Sequence, residues 1–230
     1  MKTFAFILLI SFTFVAALTA VAKDKFTENF GVDKADLAAT GTNRFFILAP
    51  GYQQTFEGRE AGKQTILTIT VLNQTKLVDG VETRIVVENE TADGQLSEVS
   101  SNYFAISTKT SDVFYFGEDV DSYKDGKVIS HNSSWLAGVN GAHFGLQMPG
   151  SPLLGARYYQ EVAPKLAMDR AEVKSLGDTL ETPAGKFANC LNTMETSDLE
   201  PARETKIYAP GIGLILDDTL KLTKYGYVSQ

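Results

Sequence analysis

The chain has 230 residues, with 28 acidic against 21 basic side chains, a formal net charge of −7 and 43% hydrophobic residues. That acidity argues against sequence-independent nucleic-acid binding, which needs a basic face to displace counterions, and against docking on anionic lipid head groups. A lone cysteine, Cys190, excludes an internal disulfide, so packing alone must hold the fold; Cys190 itself reads as a small buried hydrophobe.

Residues 1–22 have the layout of a cleaved export signal. Lys2 precedes an apolar run from Phe4 to Ala17, interrupted only by Ser11 and Thr13. Ala20-Val21-Ala22 then forms a small-x-small site ahead of Lys23-Asp24-Lys25. The run is short for a bilayer span of roughly 20 residues, and no later segment is apolar enough to form one. The expectation is a protein exported to the periplasm or the extracellular space, with no stable membrane span. A polar, weakly periodic stretch, 23–42, reads as an extended lead-in to one β-rich domain, 43–230.

From Asn43 onward the pattern is strand, turn, strand. Leu67, Ile69 and Val71 alternate with Thr68 and Thr70, and Val81, Thr83, Ile85 and Val87 alternate with polar residues. Such period-two runs mark sheets with one wet face. Asp79-Gly80 between them is a hairpin turn, and the same dipeptide recurs at Asp93-Gly94 and Asp125-Gly126. Counting outward from Asp79-Gly80 sets Ile69 against Glu90 and Val71 against Glu88. The spacing therefore predicts a β-bulge of one residue between Val71 and Lys76. Val113 to Phe116 reads as a buried strand, and residues 160–168 as a short helical turn. Thr182-Pro183-Ala184-Gly185 joins strands 168–180 and 187–196, and Ile212 to Leu222 closes the chain as one last strand. The whole predicts a mainly β protein: a single curved antiparallel sheet, as half-barrel, barrel or sandwich, of ten to twelve strands.

The segment HNSSWLAGVNGAHFGLQMPGSPLLGAR, 131–157, holds the only Trp, both His and five Gly. It shows no clean period and reads as a long Gly-rich loop. Connections of such length are commonly lids or binding loops. Here it is expected to fold over one mouth or face of the sheet, anchored by Trp135, Phe144, Leu146 and Met148. With Tyr115 and Tyr158 these are the candidate ligand-binding residues. The adjacent pairs Phe45-Phe46 and Tyr158-Tyr159 must send one ring to each face of a strand, so something has to cover the outer one.

Chemistry-bearing motifs are sparse. Asp119 and Asp121 fit the first two places of a calcium loop, but Tyr123 and Lys124 break it. His131, His143 and Met148 are copper-type ligands without ligand spacing. Glu161 and Asp169 are a conceivable carboxylate pair for hydrolysis. There is no Gly-x-Ser-x-Gly, no phosphate loop and no dinucleotide fingerprint. Neither a catalytic residue, a metal site nor a cofactor is therefore assigned.

Several stretches resemble a group of uncharacterised secreted bacterial β-rich proteins. They are NRFFILAPGYQQTFEG (43–58), VFYFGEDVDSYKDGKV (113–128), SWLAGVNGAHFGLQMPGSP (134–152), YYQEVAPKLAMDRAEV (158–173), TPAGKFANCL (182–191), LEP (199–201) and YAPGIGLI (208–215). They follow in the group's order over most of 43–216. Arg44 departs from the usual Pro, and ISTKTSD (106–112) replaces an acidic, Gly-containing turn. The resemblance implies a secreted β domain without an assigned activity. The Pro210-Gly211-Ile212-Gly213 ending is also similar to strands of lipoprotein-carrier half-barrels, an analogy of fold alone. The first functional expectation is an exported, noncatalytic protein that binds a lipid, another apolar or amphipathic small molecule, or an envelope component. The alternative is a secreted hydrolase or metal-dependent enzyme with a site around His131, Glu118 and Asp119.

Overall fold

The computed structural model describes residues 25–229; the export signal expected over 1–22 lies outside the described residues. After a single 3-10 turn, Lys34–Asp36, capped by the Asp33 side chain, everything regular is strand. The strands are β1 (Leu37–Ala38), β2 (Tyr52–Glu60), β3 (Lys63–Val78), β4 (Val81–Ala92), β5 (Gln95–Ser107), β6 (Val113–Lys124), β7 (Lys127–Ser130) and β8 (Trp135–Leu136). They continue as β9 (His143–Met148), β10 (Arg157–Tyr159), β11 (Glu161–Val162), β12 (Asp169–Thr182), β13 (Gly185–Ser197), β14 (Arg203–Ala209), β15 (Gly213–Asp217) and β16 (Leu220–Tyr227). No described helix is long and apolar enough to cross a membrane.

All sixteen strands belong to one antiparallel sheet, nearly closed into a barrel. Its path runs from β10 through β12 to β16, then β2 to β6, β9 and β11. The two ends of that path are neighbours in sequence. β10 pairs with β12, β11 pairs with β9, and Gln160 between them donates its backbone N–H to Asp169 O at 2.8 Å. Gln160 therefore sits on the seam of the barrel.

The Asp-Gly turns form as expected, each with both residues at positive φ. The predicted bulge is present on β3, but it holds two extra residues rather than one: Val71 pairs with Val86 and Thr75 with Arg84. Leu67 and Ile69 consequently still face Glu90 and Glu88. The buried Arg84 guanidinium satisfies the carbonyls the bulge frees, donating to Asn73 O at 2.8 Å and Leu72 O at 3.4 Å, and to Ala39 O of the lead-in at 3.0 Å.

Three sequence expectations are corrected. Residues 160–168 form β11 and a tight turn, not a helical turn. The last predicted strand is a hairpin, β15 and β16, turning at Asp218 with φ 47°. The Gly-rich segment 131–157 is in good part wall: β8 and β9 both pair with β6, and β10 begins at its end. Two of its five glycines, Gly145 and Gly150, stand against neighbouring backbone, whereas Gly141 and Gly155 face open space at positive φ. A Cβ on Gly145 would lie 2.3 Å from Gln160 O, and one on Gly117 of β6 would lie 2.3 Å from Trp135 O.

The covering elements come from elsewhere. The lead-in crosses the outer face, bridging β10 through Thr27, pairing β1 with β5, and setting Phe30 5.8 Å from Phe114. The tip of the β12–β13 hairpin seals a second apolar cluster, with Leu180, Ala184 and Phe187 packed on a group that includes Cys190, Ile207, Ile215 and Leu222. Segment 43–48 spans one end of the barrel. Asn43 donates to Ser111 O and Pro149 O on one side, and Arg44 O accepts from Gly211 N on the other. Phe45 and Leu48 are buried beneath it.

Candidate functional site

With one end plugged, the interior grades from apolar to acidic along the barrel axis. On β4 the inward residues run Val86, Glu88, Glu90; on β5, Phe104, Asn102, Ser100, Glu98; on β13, Leu191, Thr193, Glu195; on β14, Tyr208, Lys206, Glu204. The registers set these in rows: Leu191 beside Tyr208, Thr193 beside Lys206, Glu195 beside Glu204, and Lys206 beside Asp217. On the other side of the barrel Glu88 pairs with Ser100 and Glu90 with Glu98.

β6 joins this gradient through a bulge. Phe104 pairs with Tyr115 but Asn102 with Glu118, so β6 carries one extra residue at Phe116-Gly117, where Gly117 takes φ 127°. The bulge brings Tyr115 and Glu118, three apart, onto the same inner face. Asp119 is left outside.

The acidic half of the interior is a chamber of about 520 Å³, lined among others by Glu88, Glu98, Glu118, Glu161, Glu195 and Lys206. Leu166, Leu199 and Glu200 are exposed residues at its border. A second lobe of about 330 Å³ shares Glu88, Glu98 and Lys206 and adds Glu60, Glu90 and Asp217. A third, of about 100 Å³, reaches the plug and is largely apolar, with Phe45, Phe46, Ile47, Tyr52 and Leu214 in its wall. Lys206 is the one cation lining all three among the described residues. It pairs with Asp217 at 3.1 Å and Glu195 at 3.4 Å.

The electrostatics follow from confinement. Burial, with like charge nearby, pushes Glu118 up to about 8 and Glu88 up to about 7. Burial and the charges of Glu118 and Asp169 raise Glu161 well above the ordinary carboxylate range. Burial pulls Lys206 down, but Asp217 and Glu195 more than reverse it, and the ammonium stays charged. At neutral pH Glu118 is therefore mostly protonated. The Tyr115 hydroxyl donates to Asn102 Oδ1, and its contact with Glu118 favours the carboxylate, partly opposing the upward push of burial.

The sequence-predicted residues divide between the two faces. Tyr115 lines the chamber, and Trp135, opposite Glu118 on β8, meets the Tyr115 ring edge-on at 5.5 Å. Tyr158 is buried on the β10 wall, and its hydroxyl has no partner among the described residues. Phe144 packs on Phe114 and Phe116, Leu146 pairs opposite Phe114 and Met148 lies near Val113, and none of the three lines the chamber. The β9 residue that does is Gln147.

The alternative enzyme site around His131, Glu118 and Asp119 is not assembled. Successive strand residues point to opposite faces. Glu118 lines the interior, whereas Asp119 is outside, bonded to Lys76 at 2.8 Å and to the Tyr103 hydroxyl. His131 contacts Asp121 at 2.6 Å and His143 contacts Glu28 at 3.2 Å, so the two imidazoles serve separate surface pairs. Among the described residues no three His, Cys, Asp or Glu side chains stand close enough to share a metal ion. Glu161 and Asp169, by contrast, do line one chamber.

Glu88, Glu90, Glu195, Glu204 and Lys206 escape a reading that takes charge as a mark of the wet outer face. The available signal was their spacing: charged residues two apart continue the apolar parity in Val86-x-Glu88-x-Glu90, and oppositely charged ones do so in Glu204-x-Lys206-x-Tyr208.

No family model matches the chain, and no curated protein does. Two solved structures align with it. One is described as an exported protein with a YmcC-like fold from Bacteroides fragilis NCTC 9343, 18% identical, with 80% of this chain and 100% of that chain covered and a TM-score of 0.37. The other is described as a lipoprotein from Parabacteroides distasonis ATCC 8503, 14% identical, with 81% and 100% covered and a TM-score of 0.37. A superposition that loose supports no inference about this chain.

Proposed function

We propose that this protein is an exported, noncatalytic binding protein that holds an amphipathic small molecule inside its barrel. The observation that carries the reading is the chamber itself. Its volume of about 520 Å³ falls within the roughly 300–1,000 Å³ of small-molecule sites. Strands from both halves of the chain build its wall, and its polar lobes join an apolar one at the plug. A purely apolar ligand fits poorly, because carboxylates line most of the interior. An amphipathic one has a place for each end. Export rests on the leader-like residues 1–22.

Native mass spectrometry of the exported protein, purified gently from its host, tests this. The expected result is a bound small molecule that dissociates on collisional activation. Release of the same molecule from a variant with the apolar lobe filled, Leu214→Trp, localises it. A clean apo mass from repeated preparations overturns the reading.

A second reading has one observation in its favour. Glu118 and Glu161, both raised and both in the chamber, are poised as a proton donor and its neighbour, with Asp169 beside them. That reading makes the protein a secreted hydrolase. Hydrolysis of aryl glycosides or esters that disappears in Glu161→Gln supports it, and inactivity across such panels dismisses it.

A further inference from the structure

The chamber holds far more acidic than basic side chains. Glu195 and Asp217 are matched by Lys206. Glu88, Glu98, Glu118 and Glu161 line the first lobe with no second lysine or arginine among its described lining residues. In the second lobe Glu60, Glu90 and Glu204 again have Lys206 alone. Carboxyls crowded into a confined space hold protons because like charges repel, and a cation entering the space takes the place of those protons and lets the carboxyls ionise.

Gln160 says what kind of cation. It is 3% exposed, lines the chamber at the seam, and donates Nε2 to Glu195 Oε1 at 2.8 Å. That bond fixes the other amide atom as an acceptor. Oε1 is buried and has no partner among the described residues. A buried acceptor without a donor is unfavourable, and a ligand N–H satisfies it. Quaternary ammonium has no N–H to give. A bare metal ion is also a poor fit, because no three acidic or imidazole groups among the described residues converge at coordination distance.

We propose that the ligand of this chamber is an organic amine with two or more protonated nitrogens, of the linear polyamine class. One ammonium sits among Glu118, Glu161 and Gln160, where it donates to Gln160 Oε1. A second sits in the lobe of Glu60, Glu90 and Glu204. Lys206, which lines both lobes, lies between them as the resident cation. The assignment rests on the reading that the barrel interior is a binding site, and departs from it in leaving the apolar lobe at the plug outside the ligand's reach.

Isothermal titration calorimetry of the exported protein at pH 8 tests it, with spermidine, hexamethonium and Mg²⁺ as probes. Saturable one-to-one binding of spermidine is expected, at least tenfold tighter than hexamethonium or Mg²⁺. Gln160→Leu is expected to weaken spermidine at least tenfold and to erase its advantage over hexamethonium. Lys206→Met, which subtracts the resident ammonium, is expected to bind spermidine more tightly, so the test survives if Gln160→Leu fails to fold. No saturable spermidine binding, equal binding of Mg²⁺, or weaker binding by Lys206→Met overturns the assignment. A neutral or acidic molecule found bound by native mass spectrometry overturns it too, while leaving interior binding intact. Absence of any bound molecule removes both.

Discussion

Replacing Glu118 by glutamine removes the chamber's strained charge while keeping its shape. Glu118 rises from an ordinary 4.5 to about 8, chiefly through burial. At about 1.4 kcal/mol per tenfold change in proton affinity, ionising it fully in the folded state costs on the order of 5 kcal/mol. Glu88 and Glu161 titrate with it and share that cost, so relieving one site recovers about 2 kcal/mol. The sign is fixed by the direction of the shift. A carboxylate raised in the folded state contributes stability that is fully present below pH 4.5 and is lost as pH climbs through about 8. The glutamine of the variant mimics the shape and neutrality of the protonated acid at every pH. Glu118→Gln is therefore expected to match the wild type within about 0.5 kcal/mol at pH 5. At pH 9 it is expected to exceed it by about 2 kcal/mol, a rise in Tm of roughly 4–8 °C. Urea and thermal denaturation at the two pH values measure this. A variant destabilised equally at both, or a difference that does not change with pH, refutes the buried-carboxylate account.

Arg84→Met strips the donors from three carbonyls, Ala39, Leu72 and Asn73; a loss of about 2–4 kcal/mol in urea unfolding is expected, with Arg84→Lys recovering less than half because one ammonium cannot reach all three. Gly145→Ala sets a Cβ 2.3 Å from Gln160 O; prying β9 from the seam is expected to cost about 3 kcal/mol by the same measurement, and a neutral result refutes the close approach of β9 to the seam.

The sheet was legible from the sequence because its signals are local. Asp79-Gly80, Asp93-Gly94, Asp125-Gly126 and Pro183 each fix a turn within four residues, and period-two runs on either side supply the strands. The bulge on β3 was legible in place but not in size. A one-residue bulge presumes that Glu88 and Glu90 must leave the face occupied by Val71 and Ile69. They share it, because this barrel is wet inside, and two extra residues preserve the parity that one would have reversed. The chamber was hidden for the same reason. Tyr115 was singled out as an aromatic, but its alignment with Glu118 depends on a bulge at Gly117 that no short-range pattern announces. The convergence of Gln160 with Glu195 depends on closure between strands 35 residues apart. The role given to segment 131–157 was misplaced because glycine density is ambiguous. It marks freedom of the chain in a turn and close approach of backbones in a wall, and the segment holds both: Gly145 and Gly150 abut backbone, while Gly141 and Gly155 turn the chain in open space.

A barrel with so acidic an interior needs its apolar burial somewhere else, and the chain supplies it in three places. The lead-in buries an outer aromatic group built on Phe30, Phe114, Phe116 and Phe144, with ring centroids 4.8 to 5.8 Å apart. The β12–β13 hairpin helps to bury a second cluster that includes Cys190, Ile215 and Leu222, each fully shielded. Segment 43–48 buries Phe45 and Leu48 at the plugged end. Each of these covers is a stretch outside the continuous strand ladder or a strand bent away from it, as the three register shifts along β12 show. The division has a functional consequence. The residues that hold the fold and those that line the open half of the chamber are largely different, so Glu88, Glu118, Glu161 and Gln160 can be tuned to a ligand without removing the packing that keeps the barrel closed. A protein whose core filled its barrel would have no such freedom. Here the chain keeps its interior packing at the plugged end, with Val86, Phe104, Leu191 and Tyr208, adds the covers outside it, and leaves the other half for chemistry that water and a charged guest can share.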